Sequence, residues 1–295
     1  MIKVGFATVV YSEAYNYVDD YINSINNQDY DDFDLLLLND NLSAYQHEFI
    51  DKHINKNIEW IDKGDCKSIQ ELRIQLIIES KNRGYDLLIL GDFDDIFSLD
   101  RVSYIVSSFD SDFSFFYNDL YYLSNNKLFF SHLPLVVDEI EYILESNFLG
   151  LSNTALNLNY IEDNLLEQLK IKQTPAFDWM LYTLILLYGG KGKKINNCKT
   201  YYRIHNINTA GDIKISDEGL FKEISIKILH YENLSNINSV FKELLEQYII
   251  YREEFSFYRK IFYEYSNNRN NYWWGNIDKL DIARRENNAN RNARN

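Results

Sequence analysis

Asp92, Asp94 and Asp95 follow directly on a short apolar run at residues 86–90, in the segment Gly91-Asp92-Phe93-Asp94-Asp95. Asp92 and Asp94 are two apart, so in extended backbone their carboxylates point the same way. Hard divalent cations take oxygen ligands. Mg2+ or Mn2+ keeps one or two protein carboxylates and completes its shell with phosphate oxygens and water. This turn offers that donor set. The same residues also suit an acidic helix N-terminus, where the helix dipole favours Asp. Position favours the metal reading: a strand, the acidic turn, then a helix over residues 99–109, within alternating strands and helices.

The elements that must position this turn begin with a β-rich run at residues 2–10. Ser12 is placed to cap a helix carrying Tyr15, Val18, Ile22 and Ile25 on one face. FDLLLL at residues 33–38 is a continuous apolar run of the kind buried on both faces of a parallel sheet. It stops at the turn-forming Asn39-Asp40-Asn41. Ser68-Ile69-Gln70-Glu71 matches a capping box. The helix it opens has Ile69, Leu72 and Leu76 on one side and Gly84 at its C′ position. Residues 1–100 thus read β-α-β-α-β-α, a parallel sheet with helices on both faces. Ligands bind beyond the carboxyl ends of such strands. Tyr11, Asn39, Asp40, Asp92 and Asp94 should therefore converge on one crevice.

The second half is less regular. Residues 112–117 and 127–130 read as antiparallel strands around Asn125-Asn126. Helices are expected at 160–171 and at 178–188, the latter stopped by Gly189-Gly190, and an alternating strand at 199–205. Two long helical segments follow Ser216, and the Asn- and Arg-rich tail after Asn267 reads as frayed.

The 295 residues, 46% hydrophobic, suffice for one large domain with an appendage. A net charge of -14 argues against a nucleic-acid partner, whose phosphates need a basic surface. Cys66 and Cys198 make neither a disulfide framework nor a metal knot, so a reducing compartment is expected. Residues 1–11 lack a basic leader and read as a strand rather than a signal peptide. The apolar stretch at 180–188 is too short to span a bilayer. The expected location is cytoplasmic, with peripheral contact at the inner face of the membrane as an option. Arg284, Arg285, Arg291 and Arg294 either attract an anionic surface or stay solvated among Asn. Trp273-Trp274 suits a membrane interface, an oligomer contact or packing on the helical appendage.

Six segments together resemble family 2 glycosyltransferases of the GT-A fold, over residues 2–211. Phe6-Ala7-Thr8-Val9-Val10-Tyr11 is similar to the opening strand, and Ser24-Ile25-Asn26-Asn27-Gln28 to the "S-L-x-x-Q" helix end. Leu38-Asn39-Asp40-Asn41 resembles the "V-D-D-G" nucleotide turn, and Leu90-Gly91-Asp92-Phe93-Asp94-Asp95 the "L-D-x-D-D" metal motif. Phe177-Asp178-Trp179 resembles the catalytic "E-D-W", and Tyr202-Arg203-Ile204-His205-Asn206 the "Y-R-x-H" strand. Departures are Asn39 and Asn41 in the nucleotide turn, Leu72-Arg73-Ile74 where the family has "A-R-N", and Phe177 in place of the first acid of "E-D".

The resemblance implies an α/β GT-A domain at 1–215, with a nucleotide-binding half at 1–100 and an acceptor half at 101–215, and a helical region at 216–295. It implies inverting transfer from a nucleotide-sugar donor, UDP-linked by expectation, to a glycan or lipid-linked acceptor. The acidic balance leaves such a donor open, because a bound cation inverts the local field. Asp94 is the expected ligand of Mn2+ or Mg2+, with His205 completing the shell. Asp92 meets the ribose or shares the metal through water, and Asp95 is either part of the site or structural. Asp178 is the expected base, its pKa raised beside Trp179 and Met180; a helix N-cap is the alternative. Asp40 accepts from the nucleobase or serves the turn. Thr8, Val9, Tyr11 and Phe93 are assigned to the donor pocket, with core packing as the alternative for Tyr11; Arg73 approaches the diphosphate or is a solvated helix residue, and Arg203 holds the diphosphate or completes the metal shell. Two other readings are a nucleotidyltransferase and a non-catalytic glycan-binding protein of the same fold. The first lacks a glycine-rich basic loop after the first strand.

Overall fold

The computed structural model describes residues 2–204, 215–266 and 272–279. Four parallel strands make one side of its sheet: β1 (Val4–Tyr11), β2 (Asp34–Asp40), β3 (Ile58–Asp62) and β4 (Leu87–Leu90), in the order β3-β2-β1-β4. The reason is visible in β2. Leu35, Leu36, Leu37 and Leu38 are all fully buried. Leu35 and Leu37 join the apolar layer of one face, Leu36 and Leu38 that of the other. Each such side chain contributes about 1.5–3 kcal/mol when buried, and only a strand covered on both sides uses them all.

The connecting helices form the two covers. Residues of α1 (Val18–Asn26), α2 (Ala44–His53) and α4 (Arg101–Ser107) lie in the first layer. Those of α3 (Ile69–Asn82), α5 (Asp163–Ile171) and α6 (Phe177–Leu187) lie in the second. Gln28 ties α1 to α4. Its amide donates to the Ser24 and Ser98 carbonyls, and its oxygen accepts from Val102 N–H. The capping box at Ser68 and Glu71 is formed, and Gly84 takes φ +74° after the helix.

The chain then leaves strict β-α alternation. β5 (Ile96–Phe97), β6 (Phe115–Tyr122), β7 (Val136–Val137), β8 (Thr154–Asn157) and β9 (Gly192–Tyr202) extend the sheet. β8 pairs antiparallel with β4 and β6, and β6 runs parallel to β9. β5 pairs with the far end of β9, Ile96 opposite Tyr201. The acidic turn therefore leads into a strand that is bonded to the end of β9.

Several expectations need correction. Ser12 does not cap a helix; a 3-10 turn over Ser12–Tyr17 precedes α1. α2 and β3 escape the sequence reading, so the acidic turn follows the fourth strand. Ile69 is 66% exposed and does not share the buried side of α3. Residues 127–130 form an isolated bridge, Tyr121 to Leu128, rather than a strand. β9 begins at Gly192 and ends at Tyr202, before Arg203.

Among the described residues, three helices rather than two follow Ser216: α7 (Asp217–Leu234), α8 (Ser239–Glu253) and α9 (Phe255–Ser266). His230 of α7 stacks on Trp179 of α6. Residues 272–279 return to the α/β part, where Trp273 packs among Phe129, Phe130 and Tyr202. Trp273 and Trp274 are both buried. Among the described residues no helix is long and apolar enough to cross a membrane.

Candidate functional site

The acidic turn is held by its backbone before its side chains do anything. Gly91 N–H donates to Ala7 O (3.1 Å), and Asp92 N–H to Ser152 Oγ (3.2 Å). Asp95 N–H closes the turn on Asp92 O (3.2 Å). A Cβ at Gly91 would lie 2.5 Å from Phe97 Cζ and 2.8 Å from Phe6 Cε1, so the close approach requires glycine. Phe93 is buried, 4.6 Å from the Tyr21 ring. With Phe93 turned into the core, Asp92 and Asp94 on either side of it are left to the crevice.

Arg73, Asp94 and Asp178 act electrostatically on Asp92, and Asp94, Asp92 and Arg73 on Tyr11. Arg73 Nη2 stands 3.9 Å from Asp92 Oδ1. The Asp92 carboxyl is raised, first by burial; Arg73 opposes the shift, and Asp94 and Asp178 add to it. Asp178, in the first turn of α6, is raised by burial and opposed by Arg73, while its Oδ1 accepts from Trp179 N–H (2.9 Å). Tyr11, at the end of β1, is raised by burial and then by Asp94 and Asp92. Carboxylates forced together in a partly desolvated crevice favour a cation or a proton between them.

Asp95 is different. It is buried, and its Oδ1 accepts from Arg203 N–H (2.8 Å). Its Oδ2 has no hydrogen-bond partner among the described residues. Burial and then the charges of Asp94 and Asp92 hold its carboxyl well above the usual range. Arg203 also donates from Nε to Asp94 O (2.7 Å) and from Nη2 to Asp20 Oδ2 (2.6 Å).

Among the described residues no three His, Cys, Asp or Glu side chains are gathered closely enough to cage a metal by themselves. Mg2+ or Mn2+ needs only one or two protein carboxylates, its shell being completed by substrate phosphates and water. Asp94 and Asp92 supply such oxygens. The donor set fits the expected cation. His205 lies outside the described residues.

The remaining expected residues divide. Asp40 ends β2 level with Tyr11 and takes Lys63 Nζ (3.0 Å) and Asn41 Nδ2 (2.9 Å) on one oxygen. Val9 is half-buried against the layer covered by α3. Thr8 is buried in mid-strand and Phe93 is in the core, so neither side chain is brought to the crevice. Two contributors were not anticipated. Arg101 is fully buried, and its Nη2 donates to Leu90 O (2.7 Å) and Ser152 O (3.0 Å), bracing the strand end that carries the turn. Burial lowers its pKa to about 10. Ser152 receives Asp92 N–H from a segment sixty residues downstream. Neither has a local sequence signal: one is a single Arg in a short helix, the other a Ser in a 3-10 turn over Leu151–Asn153.

No protein-family model and no curated protein matches the chain. Solved structures do. S. aureus TarS 1-349 in complex with UDP superposes with a TM-score of 0.54 at 12% identity, over 84% of this chain and 71% of that one. The same protein in complex with UDP-GlcNAc gives 0.54 at 13% identity, over 84% and 72%. The mannosyltransferase PcManGT from Pyrobaculum calidifontis, in complex with GDP-Man and Mn2+, gives 0.53 at 11% identity, over 86% and 70%. The chain has the GT-A fold. At these identities the likeness shows architecture alone.

Proposed function

We propose that this protein is an inverting, metal-assisted glycosyltransferase, moving a sugar from a UDP-type donor to a hydroxyl of a glycan or lipid-linked acceptor. One observation carries the reading: the charges of Asp94 and Asp178 both bear on the Asp92 carboxyl, in the turn that follows β4. The shared fold supports it, since TarS is seen with UDP and UDP-GlcNAc, and PcManGT with GDP-Man and Mn2+. The setting is cytoplasmic, in keeping with two free cysteines.

Asp40 and Tyr11, level with each other on neighbouring strands, frame the nucleoside end of the crevice. Arg73, beside Asp92, is placed to meet the diphosphate. A divalent cation held by Asp94 and Asp92 would neutralise the negative charge developing on the departing nucleoside diphosphate. Asp178 takes the proton of the acceptor hydroxyl. The acceptor oxygen forms its bond to the anomeric carbon as the bond from that carbon to the phosphate oxygen breaks, and the electron pair leaves on the diphosphate. The transition state is oxocarbenium-like, and a single displacement inverts the centre. Burial raises the Asp178 carboxyl, which makes it a better proton acceptor once ionised.

Calorimetry of the full chain with UDP, GDP and dTDP, each with and without Mn2+, tests the donor half. Metal-dependent binding of at least one is expected, and Asp94→Asn should weaken it. The absence of binding to any of the three would overturn the reading.

A further inference from the structure

Arg203 follows β9 and reaches three separate pieces of chain. Its backbone N–H donates to Asp95 Oδ1 (2.8 Å), its Nε to the Asp94 carbonyl (2.7 Å) and its Nη2 to Asp20 Oδ2 (2.6 Å). The guanidinium lies 4.4 Å over the Tyr17 ring. Asp20 stands in the first turn of α1, with 52% of its side chain open to solvent.

We propose that Arg203 and Asp20 form a positioning pair that fixes the metal-binding carboxylate of Asp94 through the backbone of the acidic turn. The Asp94 carbonyl shares its Cα with the carboxylate side chain. Holding that carbonyl on one side and the Asp95 carboxylate on the other fixes the peptide plane between them, and with it the direction of Asp94. A guanidinium is suited to the task because its planar fork is pre-organised. Asp20 and Tyr17 aim the fork: without Asp20 the guanidinium loses the partner that pulls it across the turn. The pair reaches the turn through its backbone, at the carbonyl of Asp94 and the carboxylate of Asp95, and ties it to α1. Arg203 thereby acts as a positioning residue.

The inference rests on the proposed donor site, so the test separates the two. UDP binding to the wild type, Asp20→Asn and Arg203→Lys is measured by calorimetry with and without Mn2+, alongside Tm. Substitutions behind a metal ligand typically weaken metal affinity about 10–100-fold. Asp20→Asn is expected to lose on the order of 10-fold in the Mn2+-dependent part of UDP binding. Its Mn2+-free binding and its Tm should stay at wild-type values. Arg203→Lys should show the same selective loss. The double variant should be no weaker than the worse single one, as for residues acting through one contact. Wild-type metal dependence in both variants, or an equal loss with and without Mn2+, would overturn the pair while leaving the donor site standing. A wild type that binds no UDP with Mn2+ would sink both.

Discussion

Trp179 and His230 lie face to face, ring centroids 4.0 Å apart and 13° from parallel. The contact joins α7 to the residue directly after Asp178. Trp179 Nε1 donates to Ile143 O (2.7 Å), so the ring is pinned at its edge as well as its face. His230 is fully buried, and neither ring nitrogen has a hydrogen-bond partner among the described residues. Burial, and secondarily the charge of Lys227, lowers its pKa from 6.5 to about 3. The folded protein thus holds this imidazole neutral where the unfolded chain would protonate it.

The sign follows from linkage. Between pH 6.5 and about 3 the unfolded state binds the extra proton, so His230 makes stability fall as pH falls through that window. The slope reaches at most about 1.4 kcal/mol per pH unit. His230→Phe should keep the stack and remove this slope. It should also gain about 1 kcal/mol near neutrality by removing two unpaired buried nitrogens. Urea unfolding of both proteins from pH 7 to 4 checks this; parallel curves would refute it. The comparison is differential because the raised carboxyls of Asp92 and Asp178 act with the opposite sign in both proteins.

A second buried network ties residues 272–279 to the C-terminal helices. Lys227 Nζ lies 3.3 Å from Glu223 Oε1 and donates to Tyr248 Oη and the Ile277 carbonyl. Glu223 in turn accepts from Ile277 N–H (2.9 Å) and Asn276 Nδ2 (2.9 Å). Removing one partner of a buried pair strands the other charge. Lys227→Met should therefore destabilise by about 3–5 kcal/mol. Adding Glu223→Gln should recover part of the loss. Denaturant midpoints of the three proteins decide it, and a double variant less stable than Lys227→Met alone would contradict the account.

Gly91 offers a test closer to the site. A methyl group there meets the Phe97 and Phe6 rings at 2.5–2.9 Å. Both rings are buried, and Phe97 also packs on the Arg101 guanidinium at 4.7 Å. Neither can step aside freely. Gly91→Ala should lose about 1–3 kcal/mol of stability through overpacking. It should also reduce metal-dependent nucleotide binding, because the displaced residue is next to Asp92. Unfolding and calorimetry measure the two effects separately.

The parts of this fold that were legible are those with strong local signals. FDLLLL gave β2 because a run of leucines without helical periodicity suits a strand covered on both faces. The Ser68 and Glu71 box located α3 because its two reciprocal bonds need no tertiary partner. α2 was missed although Ser43 and Gln46 form the same kind of box, because it buries only Ile50 and shows no stripe. β3 is an edge strand of five residues whose alternation is masked by half-exposed Trp60 and Glu59. At the site, Asp92, Asp94 and Asp178 could be proposed from their order along the chain. Arg101, Ser152 and Asp20 could not, since each acts through a contact between distant segments. Arg203 is legible only through the resemblance of its segment to "Y-R-x-H"; that its contacts include Asp94 O, Asp95 and Asp20 depends on β5 pairing with the end of β9.

Asp178 carries the chemical half of the proposal and admits the sharpest test. Its Oδ1 accepts from Trp179 N–H, a bond that an Asn side-chain oxygen can equally accept. Asp178→Asn therefore preserves shape and the local hydrogen bond while removing the basic carboxylate. Loss of a general base typically costs about 10²–10⁴-fold in rate. Transfer should fall by that order, with UDP affinity in the presence of Mn2+ near the wild-type value. A small gain in stability is also expected at neutral pH, because the raised carboxyl of Asp178 opposes folding when ionised. Donor turnover followed by released UDP, with calorimetry on the same preparations, reads both quantities. Wild-type turnover in Asp178→Asn would remove Asp178 as the base. An equal loss of turnover and UDP affinity would assign it to donor binding instead.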